Sequence, residues 1–243
     1  MQIIKLSATE STNVYLKNLA FRETLDDFTV VMAQDQYNGR GQIGAKWESE
    51  AGKNLTFSIL KKDVGLPVLD QFLLNMGVSL AIYDTLHQLY VPDLSIKWPN
   101  DILSGRFKIC GILIENILSG TMIQSSIIGI GLNVNQSNFG RLPRASSLKL
   151  ILGRNLDLDE LLHSILENMK RYMAPVFLRD GNTLTFAYGE ALFRRNKPST
   201  FKDANDRLFM GFIKGVSAEG KLMVLLEDDV LTEFDLKELQ LMY

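Results

Sequence analysis

A glycine-rich segment at residues 34–53 combines residue types that could bind an anion. It holds four of the eighteen glycines, at positions 39, 41, 44 and 52. Successive backbone N–H groups in glycine-rich turns can point at phosphate oxygens, and Arg40 can donate two hydrogen bonds to a phosphate or a carboxylate. The structural alternative is a mobile hairpin loop without a function.

The run Gly39-Arg40-Gly41-Gln42-Ile43-Gly44 matches the G-x-G-x-x-G pattern of dinucleotide-binding sites. That pattern requires a helix that opens at the glycines within a unit of roughly 30 residues. Only nine residues separate Gly44 from Asn54, where the next strand is expected. A parallel crossover usually needs about a dozen or more. The spacing therefore disfavours a dinucleotide-binding fold.

Two further groups of polar residues lie at the ends of strand-like runs. In Lys97-Trp98-Pro99-Asn100-Asp101, the proline fixes a turn that presents a carboxamide beside a carboxylate. Read as plain structure, the same block is an Asx-type hairpin turn. Asn133 follows the run 122–132 and could contact an adenine edge or cap a turn.

Lys108 comes directly before the apolar run 109–114. A lysine that begins a buried strand is poorly solvated unless it meets an anion, although its ammonium group could also reach water from the strand edge. Gly111, within the run, lets another group approach the backbone closely. The segment therefore indicates an anion-facing strand.

The periodicity of the apolar residues predicts an α+β fold. Strands are expected at residues 2–6, 28–33, 54–60, 94–98, 110–116 and 122–132, and helices after residue 13, at 70–90 and after an acidic capping sequence at 157–160. From residue 199 onward, short strands at 208–213, 221–226 and 230–234 predict a small β-barrel. The expected domains are residues 1–193 and 194–243.

The composition describes an ordinary folded protein. The chain has 243 residues, 26 basic and 28 acidic side chains, a net charge of −2 and 46% apolar residues. Such a balance gives no basic face for nucleic acid, and a single cysteine with two histidines offers neither an internal disulfide nor metal-site spacing. No signal peptide or membrane span is evident, so we expect a cytoplasmic protein without membrane or nucleic-acid partners.

Taken in order, these motifs resemble the bacterial biotin protein ligases. The resemblance covers the whole chain, and its most specific parts are the Lys97–Asp101 block and the Gly-Arg-Gly triplet at 39–41 followed by Trp47. It implies a catalytic domain of mixed or antiparallel sheet with flanking helices, followed by a small SH3-like barrel. The implied reaction joins biotin and ATP into biotinyl-5′-AMP, then transfers biotin to a lysine of a biotin carboxyl carrier protein.

The resemblance also implies roles for individual residues. The expected catalytic residues are Lys108, Arg40 and Asp101; Asp101 would act by metal contact or by helping the acceptor lysine lose its proton. The expected biotin-binding residues are Ser11, Thr12, Asn13, Gln36, Gly39, Arg40, Gly41, Gln42, Lys108 and Gly111. The expected ATP-binding residues are Arg40, Trp47, Lys97, Asn100 and Asn133. No metal site is expected from the protein alone, since Mg²⁺ would arrive with ATP, near Asp101.

Two departures from the family pattern refine these expectations. Many family members carry arginine where this chain has Gln42, which removes one cation from the glycine-rich segment. Ser11 lies only ten residues after Met1, which leaves no room for the winged-helix domain of some relatives. We therefore expect a monofunctional ligase, as a monomer or a homodimer.

Two other functions remain in competition. A lipoate ligase or lipoyl/octanoyl transferase would share the general fold and use a lysine at a comparable place. A non-catalytic module that binds biotin or an adenylate is the second alternative. The Trp-Pro-Asn-Asp sequence and the Gly-Arg-Gly triplet favour biotin, and the intact cations at 40, 97 and 108 favour an enzyme.

Overall fold

The chain folds around a seven-stranded mixed sheet with helices on both faces. The computed structural model describes residues 2–140 and 142–243, without the side chains of Ile43, Val176 and Phe177. Up to the end of this sheet, the elements are β1 (Ile3–Thr9), α1 (Thr12–Arg22), β2 (Thr29–Gln36), β3 (Gly39–Arg40), β4 (Lys46–Trp47), β5 (Leu55–Pro67), α2 (Gln71–Gln88), β6 (Leu94–Lys97), β7 (Asp101–Ser104), β8 (Phe107–Ser119) and β9 (Met122–Leu132).

Four helices and a second sheet follow. They are α3 (Leu148–Leu152), α4 (Leu158–Tyr172), α5 (Pro175–Leu178), α6 (Gly181–Ala191), β10 (Pro198–Asp203), β11 (Leu208–Val216), β12 (Leu222–Leu226), β13 (Leu231–Phe234) and β14 (Leu239–Met242). The expected α+β fold is confirmed. No helix among the described residues is long and apolar enough to cross a membrane.

The large sheet has the strand order β1-β2-β5-β9-β8-β7-β6. Only β1 and β2 pair in parallel; the other neighbours are antiparallel. The connection that carries the glycine-rich segment therefore joins antiparallel strands, β2 and β5, so the prediction against a dinucleotide fold is confirmed. The long strands β5, β8 and β9 form the centre of the sheet.

The side chains of β5 alternate between the two faces of the sheet, which have different surroundings. Leu55, Phe57 and Ile59 belong to the main core, whereas Leu60 joins Leu16 of α1 in a small second cluster. Side chains alternate between the faces of a strand, so Thr56 and Ser58 lie on the α1 side. That second face, only partly covered by α1, leaves room for a ligand.

The helices α2 and α4 cover the main core. Burial of α2 extends around most of its circumference, because the helix contacts the sheet, α4 and α6. The amphipathic helix α4 begins at Asp157, whose carboxylate accepts hydrogen bonds from the backbone N–H groups of Asp159 and Glu160. Both helices agree with the sequence prediction.

Other helices and strands were not predicted from the sequence. Helix α6 contains Thr183, Thr185 and Gly189, which are poor helix formers, and it is stabilised by burial of Leu184 and Tyr188. Helices α3 and α5 are only five and four residues long. Strand β7 is short, with four residues, and directly follows the turn at 98–100.

The C-terminal unit is an antiparallel sheet with the order β13-β12-β11-β10-β14. No pairing in the described part of the chain joins β13 to β14, so the sheet is not a closed barrel, and it is consistent with the small SH3-like unit that was expected. Barrel closure requires matched strand tilt and stagger, and these two edge strands have only four residues each. The domain limits 1–193 and 194–243 stay a prediction.

Candidate active site

A cavity of about 230 Å³ opens on the α1 side of the large sheet. It lies between the start of α1, the end of β2, the β3–β4 hairpin and the central strands. Twelve of the expected site residues line it: Ser11, Thr12, Asn13, Gln36, Arg40, Gly41, Gln42, Trp47, Asn100, Asp101, Lys108 and Gly111. Gly39, Lys97 and Asn133 do not. Among the other lining residues, Lys46 belongs to the glycine-rich segment predicted to bind an anion. No site role was predicted for the rest, which are Ala45, Thr56, Ile112, Leu113, Gly129, Ile130 and Gly131.

One end of the cavity is polar and uncharged. The Thr12 backbone N–H donates to Gln36 Oε1 at 2.9 Å, which fixes the orientation of the carboxamide and leaves Nε2 as its donor group. Ser11 is almost fully buried, and its hydroxyl does not cap the helix that it precedes. The start of α1 therefore presents hydroxyl and amide groups to a ligand.

Asn13 is bonded within the protein. Its Nδ2 donates to Glu115 Oε2 at 2.7 Å, and its Oδ1 accepts from Ser58 Oγ at 2.6 Å. A side chain at Gly129 would lie within 3.0 Å of the Asn13 carboxamide, so a glycine is required beside it. Neither Ser58 nor Glu115 was expected from the sequence, although a glutamate directly after the apolar run 109–114 is a signal that could have identified one of them.

The opposite end of the cavity is cationic. Lys108 Nζ lies 2.6 Å from Asp101 Oδ1, and Lys97 Nζ lies 3.8 Å from Asp101 Oδ2. Burial lowers the pKa of Lys97; Asp101 opposes that shift, while the positive charges of Lys108 and Arg144 add to it. One carboxylate therefore lies among three cations, an arrangement suited to a ligand that brings further negative charge.

Backbone pairing holds Lys108 in place. Its N–H donates to the Arg144 carbonyl at 2.7 Å, and its own carbonyl accepts from the Ser146 N–H at 3.1 Å. Arg40, at the other side of the cavity, lies 3.6 Å from Glu10 and is half exposed. Its side chain can therefore turn toward a ligand at little cost, since exposed ion pairs are weak.

Trp47 rests on a floor made of two paired glycines. Gly111 and Gly131 face each other on β8 and β9. A Cβ atom at Gly131 would clash with the indole, and one at Gly111 would lie 3.1 Å from it. The Trp47 indole N–H is buried without a hydrogen-bond partner among the described residues. The face of the indole away from these glycines is thus available to stack on a ligand ring.

Three residues predicted to bind ATP contact other groups of the protein in this structure. Asn100 Nδ2 donates to the Ile112 carbonyl at 2.6 Å and so ties the turn at 98–100 to β8. Asn133 Nδ2 donates to the Ser146 carbonyl, while its Oδ1 is buried without a partner in the described ranges. Lys97 Nζ lies 5.5 Å from the centroid of the Tyr243 ring. Arg144 and Tyr243 were not expected at the site.

The acidic side chains at the cavity are paired with cations. Within residues 2–140 and 142–243, no group of three or more His, Cys, Asp or Glu residues could hold a metal ion. Asp101 is paired with two ammonium groups, Lys108 Nζ at 2.6 Å and Lys97 Nζ at 3.8 Å. A divalent ion bound mainly by protein carboxylates does not fit this arrangement.

The sequence matches a known protein family and several of its members. Residues 6–133 match the model of the biotin/lipoate A/B protein ligase family. A biotin–[acetyl-CoA-carboxylase] ligase from Paracoccus denitrificans is 37% identical over 131 residues, which are 53% of this chain and 53% of that protein. The bifunctional ligase/repressor BirA of Bacillus subtilis is 34% identical over 69% of this chain and 51% of its own length. The chain thus spans about half the length of these curated relatives.

Among solved structures, the biotin protein ligase of Aquifex aeolicus in complex with biotin and ATP is similar over nearly its whole length. The TM-score is 0.82, with 25% sequence identity, over 99% of this chain and 98% of that chain. The Leishmania major biotin protein ligase in complex with biotinyl-5-AMP has the same fold, with a TM-score of 0.66.

Proposed function

Because the chain belongs to the biotin/lipoate A/B protein ligase family, we propose that it is an ATP-dependent biotin protein ligase. It activates biotin as biotinyl-5′-AMP and transfers it to a lysine of a biotin carboxyl carrier protein. The observation that carries the proposal is the polarity of the cavity. Uncharged hydrogen-bonding groups lie near Gly129, which contacts Asn13, and the Lys108 ammonium group lies near Gly111, two positions along β8 from the residue that pairs with Gly129. Biotin has a matching distribution, since its ureido ring is uncharged and its valeryl chain ends in a carboxylate.

The uncharged end favours biotin over lipoate. A ureido group carries N–H donors and a carbonyl acceptor, which can bond to the hydroxyl groups of Ser11 and Thr12 and to Gln36 Nε2. The dithiolane ring of lipoate offers no comparable hydrogen bonds. Buried polar groups left without partners cost about 1–3 kcal/mol each, so this end of the cavity selects against lipoate.

The cationic end favours the first chemical step. A biotin carboxylate oxygen attacks the α-phosphorus of ATP, a P–O bond to that oxygen forms, and the bond to the pyrophosphate leaving group breaks. The two anions repel each other, and Lys108 and Arg40 reduce that repulsion by lying on either side of the reacting groups. Lys46, which lines the cavity four residues after Gln42, supplies a cation in the segment where many relatives carry an additional arginine.

In the second step, the amine of the acceptor lysine attacks the acyl carbon of the adenylate, and AMP leaves. The attacking amine must be uncharged. Asp101 lies at the cavity beside Lys108 and can accept a hydrogen bond from the incoming amine, so its role is to orient the amine and to assist loss of its proton.

The nucleotide side of the site involves Trp47, Lys97 and Asn133. Trp47 supplies an aromatic face for adenine, the unpaired Asn133 Oδ1 can accept from an adenine amino group, and Lys97 adds charge for the phosphates. Asn100 acts indirectly by fixing the turn that bears Asp101. Mg²⁺ would accompany the phosphates of ATP and would reduce their charge.

The proposed function is tested by following the acceptor protein. Incubation with ATP, Mg²⁺, biotin and a biotin carboxyl carrier domain should add one biotin to that domain, detected by intact-protein mass spectrometry. Replacing biotin with lipoate or octanoate, and the acceptor with a lipoyl domain, should give no modification. Modification of the lipoyl domain alone would contradict the proposal and would indicate a lipoate ligase.

A further inference from the structure

A chain of four hydrogen-bonded side chains runs behind the uncharged end of the cavity. It begins at Glu115 on β8, passes through Asn13 and Ser58, and ends at Thr12. The successive distances are 2.7 Å, 2.6 Å and 2.7 Å. Asn13, Ser58 and Thr12 are almost completely buried. These groups cannot exchange partners with bulk water, so the direction of each hydrogen bond is fixed by its neighbours.

Glu115, which is partly exposed, sets the direction at its end of the chain. An ionised carboxylate only accepts hydrogen bonds, so the Asn13 NH₂ group faces Glu115 and the Asn13 carbonyl faces Ser58. The carbonyl oxygen is also an acceptor only. The Ser58 hydroxyl, which has one proton, must therefore donate it to the Asn13 carbonyl oxygen.

Thr12 is constrained in turn. Two hydroxyl oxygens 2.7 Å apart require a proton between them, and the Ser58 proton is already used. The Thr12 hydroxyl therefore donates to Ser58. Gln36 Oε1 lies farther away, at 3.2 Å, and already accepts from the Thr12 backbone N–H. A Thr12 lone pair is then left to face the cavity, which this residue lines.

We propose that Glu115 is a specificity-determining positioning residue, which acts through Asn13 and Ser58 to make Thr12 a hydrogen-bond acceptor toward the ligand. Beside that acceptor, Gln36 Nε2 is a donor. The cavity wall thus matches a ligand in which an N–H group neighbours a carbonyl, as in a cyclic urea. This inference rests on the proposed function and adds to it a residue that does not contact biotin.

The test is biotin binding by isothermal titration calorimetry, with no nucleotide present. Glu115→Gln keeps the size of the side chain but can donate as well as accept, so it no longer imposes one direction on the chain. Loss of one directed hydrogen bond should weaken biotin binding roughly tenfold. Ser58→Ala interrupts the same chain at another point and should give a loss of similar size, which provides a second measurement if Glu115→Gln does not fold.

A double mutant separates this role from a general weakening of the structure. Thr12→Val removes the acceptor itself. In that background Glu115→Gln should cause no further loss of biotin affinity, because the group through which it acts is gone. Asn116→Ala, which removes a bond to Ser126 from the adjacent position of β8, serves as the matched control and should bind biotin as the wild type does.

The possible outcomes are distinguishable. If the wild-type protein does not bind biotin, the proposed function fails. If it binds biotin but Glu115→Gln and Ser58→Ala bind equally well, the inference about Glu115 is wrong while the function stands. Equal losses from Glu115→Gln in the wild-type and Thr12→Val backgrounds would also overturn it, because they would show that Glu115 acts independently of Thr12.

Discussion

Asp101 has an unusual position for a single carboxylate, because Lys97 and Lys108 share it and Arg144 lies nearby. The carboxylate keeps the two ammonium groups close together but neutralises only part of their charge. The remaining positive charge lies where the carboxylate of biotin and the α-phosphate of ATP would meet. Of Lys97, Lys108 and Arg144, Lys108 is the one that lines the cavity. We therefore expect its replacement to have the largest effect on activity.

Replacing Lys108 with alanine should lower kcat/KM for adenylate formation by at least about a hundredfold, since an electrostatic partner of the transition state is lost. Stability should change little, because an ion pair with a lysine that is 36% exposed contributes about 1 kcal/mol or less. Pyrophosphate release and thermal unfolding measure the two effects. Lys5→Ala breaks a surface ion pair with Asp159 and is the matched control, with normal turnover expected. Normal turnover in Lys108→Ala would remove Lys108 from the mechanism.

The lowered pKa of Lys97 predicts a dependence on alkaline pH. Burial is its main cause, Lys108 and Arg144 add to it, Asp101 opposes it, and the Tyr243 ring lies against the ammonium group. A lysine with a lowered pKa loses its charge before the ordinary value of about 10.4 is reached. The KM for ATP should therefore rise as pH increases toward that value.

Arginine stays charged throughout this range, so Lys97→Arg should move the rise in KM to higher pH. Steady-state kinetics between neutral pH and about pH 10 measure the shift. Identical alkaline profiles in the two proteins would show that Lys97 does not contribute charge to nucleotide binding.

At the scale of elements, the β3–β4 hairpin meets the central strands through Trp47 and the pair of glycines beneath it. An alanine at position 131 would clash with the indole and displace it, whereas Gly215, in β11, has open space around it. Trp47 and Trp98 are the two tryptophans of the chain, so a Trp98→Phe background isolates the emission of Trp47.

In that background, Gly131→Ala should shift Trp47 fluorescence to longer wavelength, because the indole becomes more exposed to water. With Trp98 retained, the same replacement should raise the KM for ATP. Gly215→Ala should do neither. An unchanged emission maximum in Gly131→Ala would show that the indole does not rest on the glycine floor in solution.

Long periodic elements could be predicted from the sequence, and so could the local motifs. Helix α4, with its acidic cap, and strand β9 lie where their patterns indicate. Helix α6 could not be predicted, since tertiary burial of Leu184 and Tyr188 outweighs its weak helix propensity. Twelve of the expected site residues line one cavity because their motifs end or begin strands at the same part of the sheet.

The contacts among the residues behind the cavity could not be predicted in this way. Ser58 and Glu115 lie 57 positions apart in the chain, and only the strand order places both beside Asn13. Arg144 and Tyr243 reach Lys97 from a loop and from the end of the second sheet, which no local pattern reveals.

At the scale of the whole molecule, the C-terminal unit contacts the turn that precedes Asp101. Trp98 Nε1 donates to the Gly220 carbonyl at 2.8 Å, and Phe72 of α2 packs against the same glycine. Gly220 has a φ of +85°, in the left-handed region. The contact thus joins α2, the turn at 98–100 and the second sheet at one point.

Gly220→Ala should destabilise the protein more than a comparable glycine replacement. Gly153, with a φ of +72°, has no neighbour within 4 Å of an added Cβ, so Gly153→Ala measures the backbone strain alone, about 1–2 kcal/mol. Gly220→Ala adds a clash with Phe72 and should lower the free energy of unfolding by about 1–3 kcal/mol more. Urea denaturation measures both. Equal destabilisation would mean that the second sheet tolerates displacement at this contact.

The central claim is that this cavity activates biotin and no other acyl group of the family. The most direct measurement is mass spectrometry of the products formed from ATP and Mg²⁺ with biotin or with lipoate, in the absence of an acceptor protein. We expect biotinyl-5′-AMP and pyrophosphate from biotin, and no acyl-adenylate from lipoate. Absence of biotinyl-5′-AMP, or formation of lipoyl-adenylate alone, would contradict the account.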